Sequence, residues 1–162
     1  MPALKGKPRF FAGYDYASAT KILPTASTAR SIRCIRPRTT VSASPDQFGW
    51  QNIVAWRGGA TINPHRRWSM TAQYLDLWLA SATDGIYNTS GGLILRDATG
   101  HSGRHIGQEF DFYTWYEINR QVHIGTGVGH IVPGGFLSKA SKGAAYTYPY
   151  FAIEMLDGKR VR

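Results

Sequence analysis

Apolar and polar residues alternate with period two through most of the chain, the signature of strands with one face apolar and the other polar. From Arg9 to Ser18, Phe10, Ala12, Tyr14 and Tyr16 share one face, against Gly13 and Asp15. From Asn52 to Ile62, Val54, Trp56, Ala60 and Ile62 oppose Ala55, Arg57 and Thr61. From Trp68 to Ala80, Trp68, Met70, Ala72, Tyr74 and Trp78 oppose Ser69, Thr71 and Gln73. The run "YLDLWLA" is more evenly apolar, but its rings and the continuing alternation favour a strand over a helical turn.

The fourth segment is the most aromatic. Ile106, Phe110, Phe112, Thr114, Tyr116 and Ile118 are assigned to one face, and Glu109, Asp111, Tyr113, Trp115 and Glu117 to the other. The fifth, Gln121 to Ile131, sets Val122, Ile124 and Val128 against His123, Gly125, Gly127 and Gly129. The sixth, Ala145 to Leu156, sets Phe151, Ile153 and Met155 against Tyr146, Tyr148, Tyr150 and Glu154. The predicted class is all-β, an antiparallel meander of about six strands.

The connections alternate in length. "NPHRRW", opened by Asn63-Pro64, and "NRQ" are short; the stretch through Pro24–Pro45, residues 81–103 and the Pro133-Gly134-Gly135 region are long. Short turns at one end and long loops at the other, with strands of ten or so residues, are the rhythm of an outer-membrane barrel. Trp68, Trp78, Tyr116 and Tyr146, near strand ends, suit an interfacial girdle. A soluble barrel or sandwich binding a ligand inside gives the same alternation with the faces exchanged: rings inward, acids outward. Period alone leaves both open.

Composition narrows the field. The 162-residue chain is only 18% charged but 13% aromatic, with 18 glycines. Typical usage is about 25% charged, so this chain is poor in the charge that coats soluble surfaces. The net charge of +9 would ordinarily suggest a nucleic-acid partner. Arg30, Arg33, Arg36 and Arg38 crowd into one short stretch, so nucleic acid is not the expected partner. Cys34 is the one cysteine, which excludes an internal disulfide. "MPALKGKPRFF" lacks the apolar core of an export signal. No run of 18 apolar residues would make a transmembrane helix, a test that barrel strands escape.

The segment "GQEFDFYTWYEINRQVHIGTGVGHIVPGGFLSKASKGAAYTYPY" resembles the last strands of the alginate export family of outer-membrane barrels. The resemblance is carried by Gly107-Gln108-Glu109, Gly125-x-Gly127-x-Gly129-His130, Pro133-Gly134-x-Phe136-Leu137 and Tyr146-Thr147-Tyr148-Pro149-Tyr150. "FAGYDYAS", "DQFGWQNI" and "LWLAS" before a "YN" loop extend it over most of the chain, except about Pro24 to Pro45. It implies residues 1–162 of a partial outer-membrane barrel, its C-terminal part, with 81–103 as an external loop. About eight strands is the smallest membrane barrel known, so further strands are needed for closure. Family chains are longer and finish on an aromatic, whereas "LDGKRVR" ends this one.

Residues 24–45 are the exception. "TARSIRCIRPRTTVSASP" matches no strand or turn. The reading frame one base upstream permits His-Gly-Thr-Phe-Asp-Gln-Met-Tyr-Pro and then His-Asp-Arg-Phe-Gly-Leu-Ala before rejoining Asp46. Both resemble the family's sequence here, so two compensating indels are the expectation and a divergent external loop the alternative.

Chemical motifs are few. Glu109 and Asp111, about 6.5–7 Å apart along a strand, overlap the carboxyl spacing of inverting glycosidases, ~6.5–9.5 Å. No other feature supports a carbohydrate-active enzyme, and no catalytic residue is assigned. "GTGVG" lacks the Gly-x-Gly-x-x-Gly spacing and following helix of a dinucleotide site; glycines at alternate positions instead give lumen space or close packing. His101 and His105 sit in a Gly-rich loop, a poor zinc site, and neither metal nor cofactor is assigned. Asn88-Thr89-Ser90 is a glycosylation sequon by pattern only.

In a barrel wall the polar face lines the pore, which makes Arg57, Arg67, Gln73, Glu109, Asp111 and His123 the candidate pore-lining residues. Arg57 opposite Glu109 and Asp111 would form a charge ladder. Anion-selective pores use rings of basic groups. The expectation is a passive channel in the outer membrane of a Gram-negative bacterium, with lipid and the remaining strands as partners. Its cargo would be an anionic polysaccharide or small solutes.

Overall fold

The computed structural model describes residues 8–19 and 49–155. The unusual segment at 24–45, with its frameshift reading, lies outside the described residues, as does the chain end after Met155. Six long strands form one antiparallel sheet: β1 (Arg9–Ala17), β2 (Ile53–His65), β3 (Trp68–Leu79), β6 (His105–Glu117), β7 (Val122–Pro133) and β8 (Tyr146–Met155). Their order is that of the chain, a meander, and β1 and β8 are its edges among the described residues.

Between β3 and β6 lies a small hairpin, β4 (Gly85–Tyr87) and β5 (Leu93–Arg96), where the sequence pattern suggests only loop. Its strands are too short to display a period. Its turn rests on Asn88, whose Oδ1 accepts from the amides of Ser90 (3.0 Å) and Gly92 (2.7 Å). The β7–β8 connection likewise contains one short helix, α1 (Gly135–Ala140), hidden in the sequence by its length and the flanking Pro133-Gly134.

Both short turns fall at the same end of the sheet. The first comprises Arg66 and Arg67, because β2 runs on through Asn63 and Pro64 to His65 past an irregularity in the register. The second is pinned by the Asn119 side chain, which accepts from the amides of Gln121 and Val122.

The β3–β6 and β7–β8 connections lie at the opposite end and fold over one face of the sheet. There Ile53, Ala55, Leu79, Ile86, Ile106 and Phe136 pack into the apolar core. Asn52, fully buried in the left-handed region at φ 56°, ties this end together. Its amide donates to the carbonyls of Ser81 and Gly85, and its Oδ1 accepts from the Ser81 amide. Asparagine tolerates this backbone conformation better than most residues.

Ile106 does not share a face with Phe110 and Phe112, as strict alternation requires. Leu77 stands opposite Gly107 but Trp78 opposite His105, so Ile106 is the extra residue of a β-bulge. The bulge turns Ile106 into the core and His105 outward. Glycine is needed at 107, where φ is 158° and a Cβ would meet the Val132 carbonyl at 2.5 Å.

Candidate functional site: the lumen wall

The two faces of the sheet have opposite relations to solvent. Phe10, Trp56, Phe110, Phe112, Phe151 and Met155 project from one face, with exposures of 82% for Phe10 and 79% for Met155. On the other face Glu109 and Asp111 are 1% and 4% exposed. A water-soluble sheet buries its rings and exposes its acids. This sheet does the reverse, which decides between the two arrangements that the alternation allows.

The outward face also has a vertical order. Trp68 pairs with Tyr116 beside the short turns, while Trp78, Tyr16, Tyr14 and Trp56 gather toward the loops. The Tyr14 and Trp56 rings are 4.6 Å apart. Trp68 and Trp78 are separated by about 34 Å along β3. At the ~35–45° tilt of barrel strands this becomes about 25 Å of height, the thickness of an outer-membrane apolar band. Between the ring belts lie Ala60, Ala72, Phe112 and Val128 in one cross-strand row. Tyr146 is not part of a belt: its register opposite Ile131 places it on the acidic face, beside Tyr148.

Several polar groups on the outward face are paired. At the loop-side belt Asp76 accepts from the Trp78 indole (2.9 Å) and contacts His105 Nε2 (2.8 Å), which the bulge directs outward. His130 Nδ1 lies 2.8 Å from the Thr147 hydroxyl.

The inner face contains most of the residues picked out by the sequence. Gln73 and Asp111 meet directly, Gln73 Nε2 donating to Asp111 Oδ2 at 3.4 Å, and Glu109 lies two residues from Asp111 on the same face. Arg57 shares their face but not their company. Leu75 stands between it and Glu109 in the cross-strand row, and Arg57 Nε instead lies 3.4 Å from Asp15 Oδ2. The ladder from Arg57 to Glu109 and Asp111 is therefore not formed. His123 lies on this face near the short turns, 3.5 Å from Glu154. Arg67 is one residue ahead of β3, exposed in the turn, with its carbonyl accepting from the Glu117 amide. Charge is thus unevenly spread: Arg9, Arg57 and its partner Asp15 lie on the β1–β2 side, and Glu109, Asp111, Glu117 and Glu154 on the β6–β8 side.

Tyrosines complete the site, and residue type alone did not single them out. The Tyr148 hydroxyl reaches from β8 across β7 to donate to Glu109, and lies 3.4 Å from Asp111 Oδ1. It can do so because residue 129, directly opposite, is glycine: a Cβ there would overlap the Tyr148 ring. Tyr150 crosses Gly127 in the same way, and Trp115, from β6, covers Gly125. The signal was present as alternate glycines on β7 facing alternate rings on β8. It becomes legible only with the register.

A sheet with an apolar, ring-belted outer face and a polar inner face is the wall of a membrane-spanning β-barrel. A family model described as alginate export matches residues 1–150, and the chain belongs to the alginate export family. That family comprises outer-membrane β-barrels for transport, channels rather than enzymes. No curated protein and no solved structure matches the chain.

Proposed function

We propose that this chain forms part of the wall of a passive outer-membrane conduit for an anionic polysaccharide, with further strands closing the barrel. The observation that carries this reading is the inversion of the faces. Exposed rings form two belts about 25 Å apart, and the acids are buried on the opposite side. Arg9, and Arg57 with its charge partly offset by Asp15, are the cations that the β1–β2 side brings to the path of a polyanion. Open sheet edges are costly in lipid because unpaired amides and carbonyls find no water. The free edges of β1 and β8 therefore favour pairing with additional strands.

The test is conductance of the detergent-purified protein in a planar bilayer, before and after adding oligouronates. Discrete channels that the oligouronate transiently blocks are the expected result. Channels indifferent to it would leave small solutes as the cargo. A protein that stays monomeric without detergent and never conducts would overturn the conduit altogether.

A further inference from the structure

The rings over the β7 glycines amount to more than packing. Gly125, Gly127 and Gly129 occupy alternate positions, about 6.6–6.8 Å apart along the strand. Each is crossed by one ring: Trp115, Tyr150 and Tyr148 in turn. Three fused-ring atoms of Trp115 would lie 2.8 to 2.9 Å from a Cβ on Gly125. Near-equal distances to three ring atoms mean that the indole lies flat over the glycine, leaving its other face toward the lumen. Ala152, opposite Gly125 on β8, leaves room for this. Tyr146 extends the series, its ring centre 5.9 Å from that of Tyr148.

We infer that Trp115, Tyr150 and Tyr148 form a stacking track for the pyranose rings of a passing polysaccharide. The inference rests on the conduit reading and specifies its ligand-contacting side. Pyranose rings have apolar faces of C–H groups that pack on aromatic faces, and such contacts tolerate sliding because they are not directional like hydrogen bonds. One polar atom on the track has no protein partner among the described residues. The Tyr150 hydroxyl is buried without a hydrogen bond, so the ring face rather than the hydroxyl is what the track offers. The acids of β6–β8 disfavour uronate carboxylates on that side, and Arg9, with Arg57 partly offset by Asp15, draws them the other way. A polyuronate would therefore run with its ring faces on β6–β8 and its carboxylates turned toward β1–β2.

Saturation-transfer NMR on the detergent-purified protein tests this directly. The aromatic protons are irradiated in the presence of a 1,4-linked uronate hexamer or a neutral 1,4-linked glucan hexamer. Transfer to the ring C–H protons of both sugars is expected, because stacking ignores the carboxylate. Trp115→Leu and Tyr150→Leu should each weaken binding roughly two- to tenfold, as loss of one aromatic contact predicts. Trp115→Phe, which keeps a ring, should restore most of it. No transfer to either sugar, or binding unchanged in both Leu variants, would overturn the track. Bilayer conductance of the wild type separates the two readings. Conduction without sugar contact removes the track alone, and sugar contact without conduction removes the conduit alone.

Discussion

The Tyr148 hydroxyl, on β8, donates to the Glu109 carboxylate on β6, two strands away. Glu109 is 1% exposed, so this bond stands in for water that the carboxylate has lost. Removing one partner of a buried hydrogen bond costs about 1–3 kcal/mol, more when the orphan is charged. Tyr148→Phe should therefore destabilise the folded sheet by at least that much in urea titrations of vesicle-inserted protein. Tyr150→Phe is the matched comparison. Its hydroxyl is buried with no partner, so its loss should leave the midpoint unchanged or slightly raised.

The same bond depends on what residue 129 lacks. Gly129→Val would place side-chain carbon where the Tyr148 ring lies, push the ring aside and break its reach to Glu109. Overpacking of this kind costs about 1–3 kcal/mol before the lost hydrogen bond is counted. Gly58→Ala tests the reverse case on β2, because a Cβ there meets nothing nearer than the Phe11 carbonyl at 3.9 Å. It should fall within about 0.5 kcal/mol of wild type. Equal losses in the two variants would show that glycine matters here only for backbone freedom.

The six long strands were legible because each is long enough to show its period and each has one face of uniform character. What the period could not convey was register and interruption. Ile106 was placed outward by counting in twos, and the bulge at Gly107 reversed it. Arg57 was matched to Glu109 and Asp111 by face alone, yet Leu75 separates it from Glu109 and Asp15 takes its charge. β4, β5 and α1 are shorter than any periodic signal. The tyrosines of β8 were visible as an alternating set. Their bonds to β6 follow only once Gly129 is known to stand opposite Tyr148.

Asp97, in the loop between β5 and β6, gives a pH dependence whose sign can be worked out. The Thr99 hydroxyl donates to its carboxylate at 2.5 Å, and the Ser102 amide donates at 2.7 Å. These bonds, Thr99 foremost, hold the Asp97 carboxyl well below the usual carboxylate range. A carboxyl depressed on folding adds stability that is present above its unfolded pKa, about 3.9, and lost as pH falls through the folded value. Protection of the Thr99 and Ser102 amides, measured relative to the intrinsic exchange rate at each pH, should therefore hold at neutral and mildly acid pH and fall only in strong acid. Asp97→Asn should make the Ser102 amide exchange faster at neutral pH, because an amide nitrogen cannot accept its hydrogen bond. Protection at Ser102 that ignores both changes would assign the loop's order to its backbone bonds alone.

Phe112 tests the orientation of the whole wall. It lies on the ring-belted face in the row of Ala72 and Val128, between the belt at Trp68 and Tyr116 and the belt near Trp78. If that face meets hydrocarbon, Phe112→Arg sets a charge near the bilayer midplane, at a cost of about 2–4 kcal/mol. Folded yield in lipid vesicles, read as resistance of the folded band to heat and detergent on a gel, should drop sharply. Arginine in place of the nearby, belt-level Tyr116 should cost about 0–1 kcal/mol, since costs fall toward the interface. The gradient between the two positions is the decisive quantity. A water-facing surface predicts two nearly silent substitutions, a packed protein core predicts two severe ones, and only a lipid-facing wall makes the penalty depend on height.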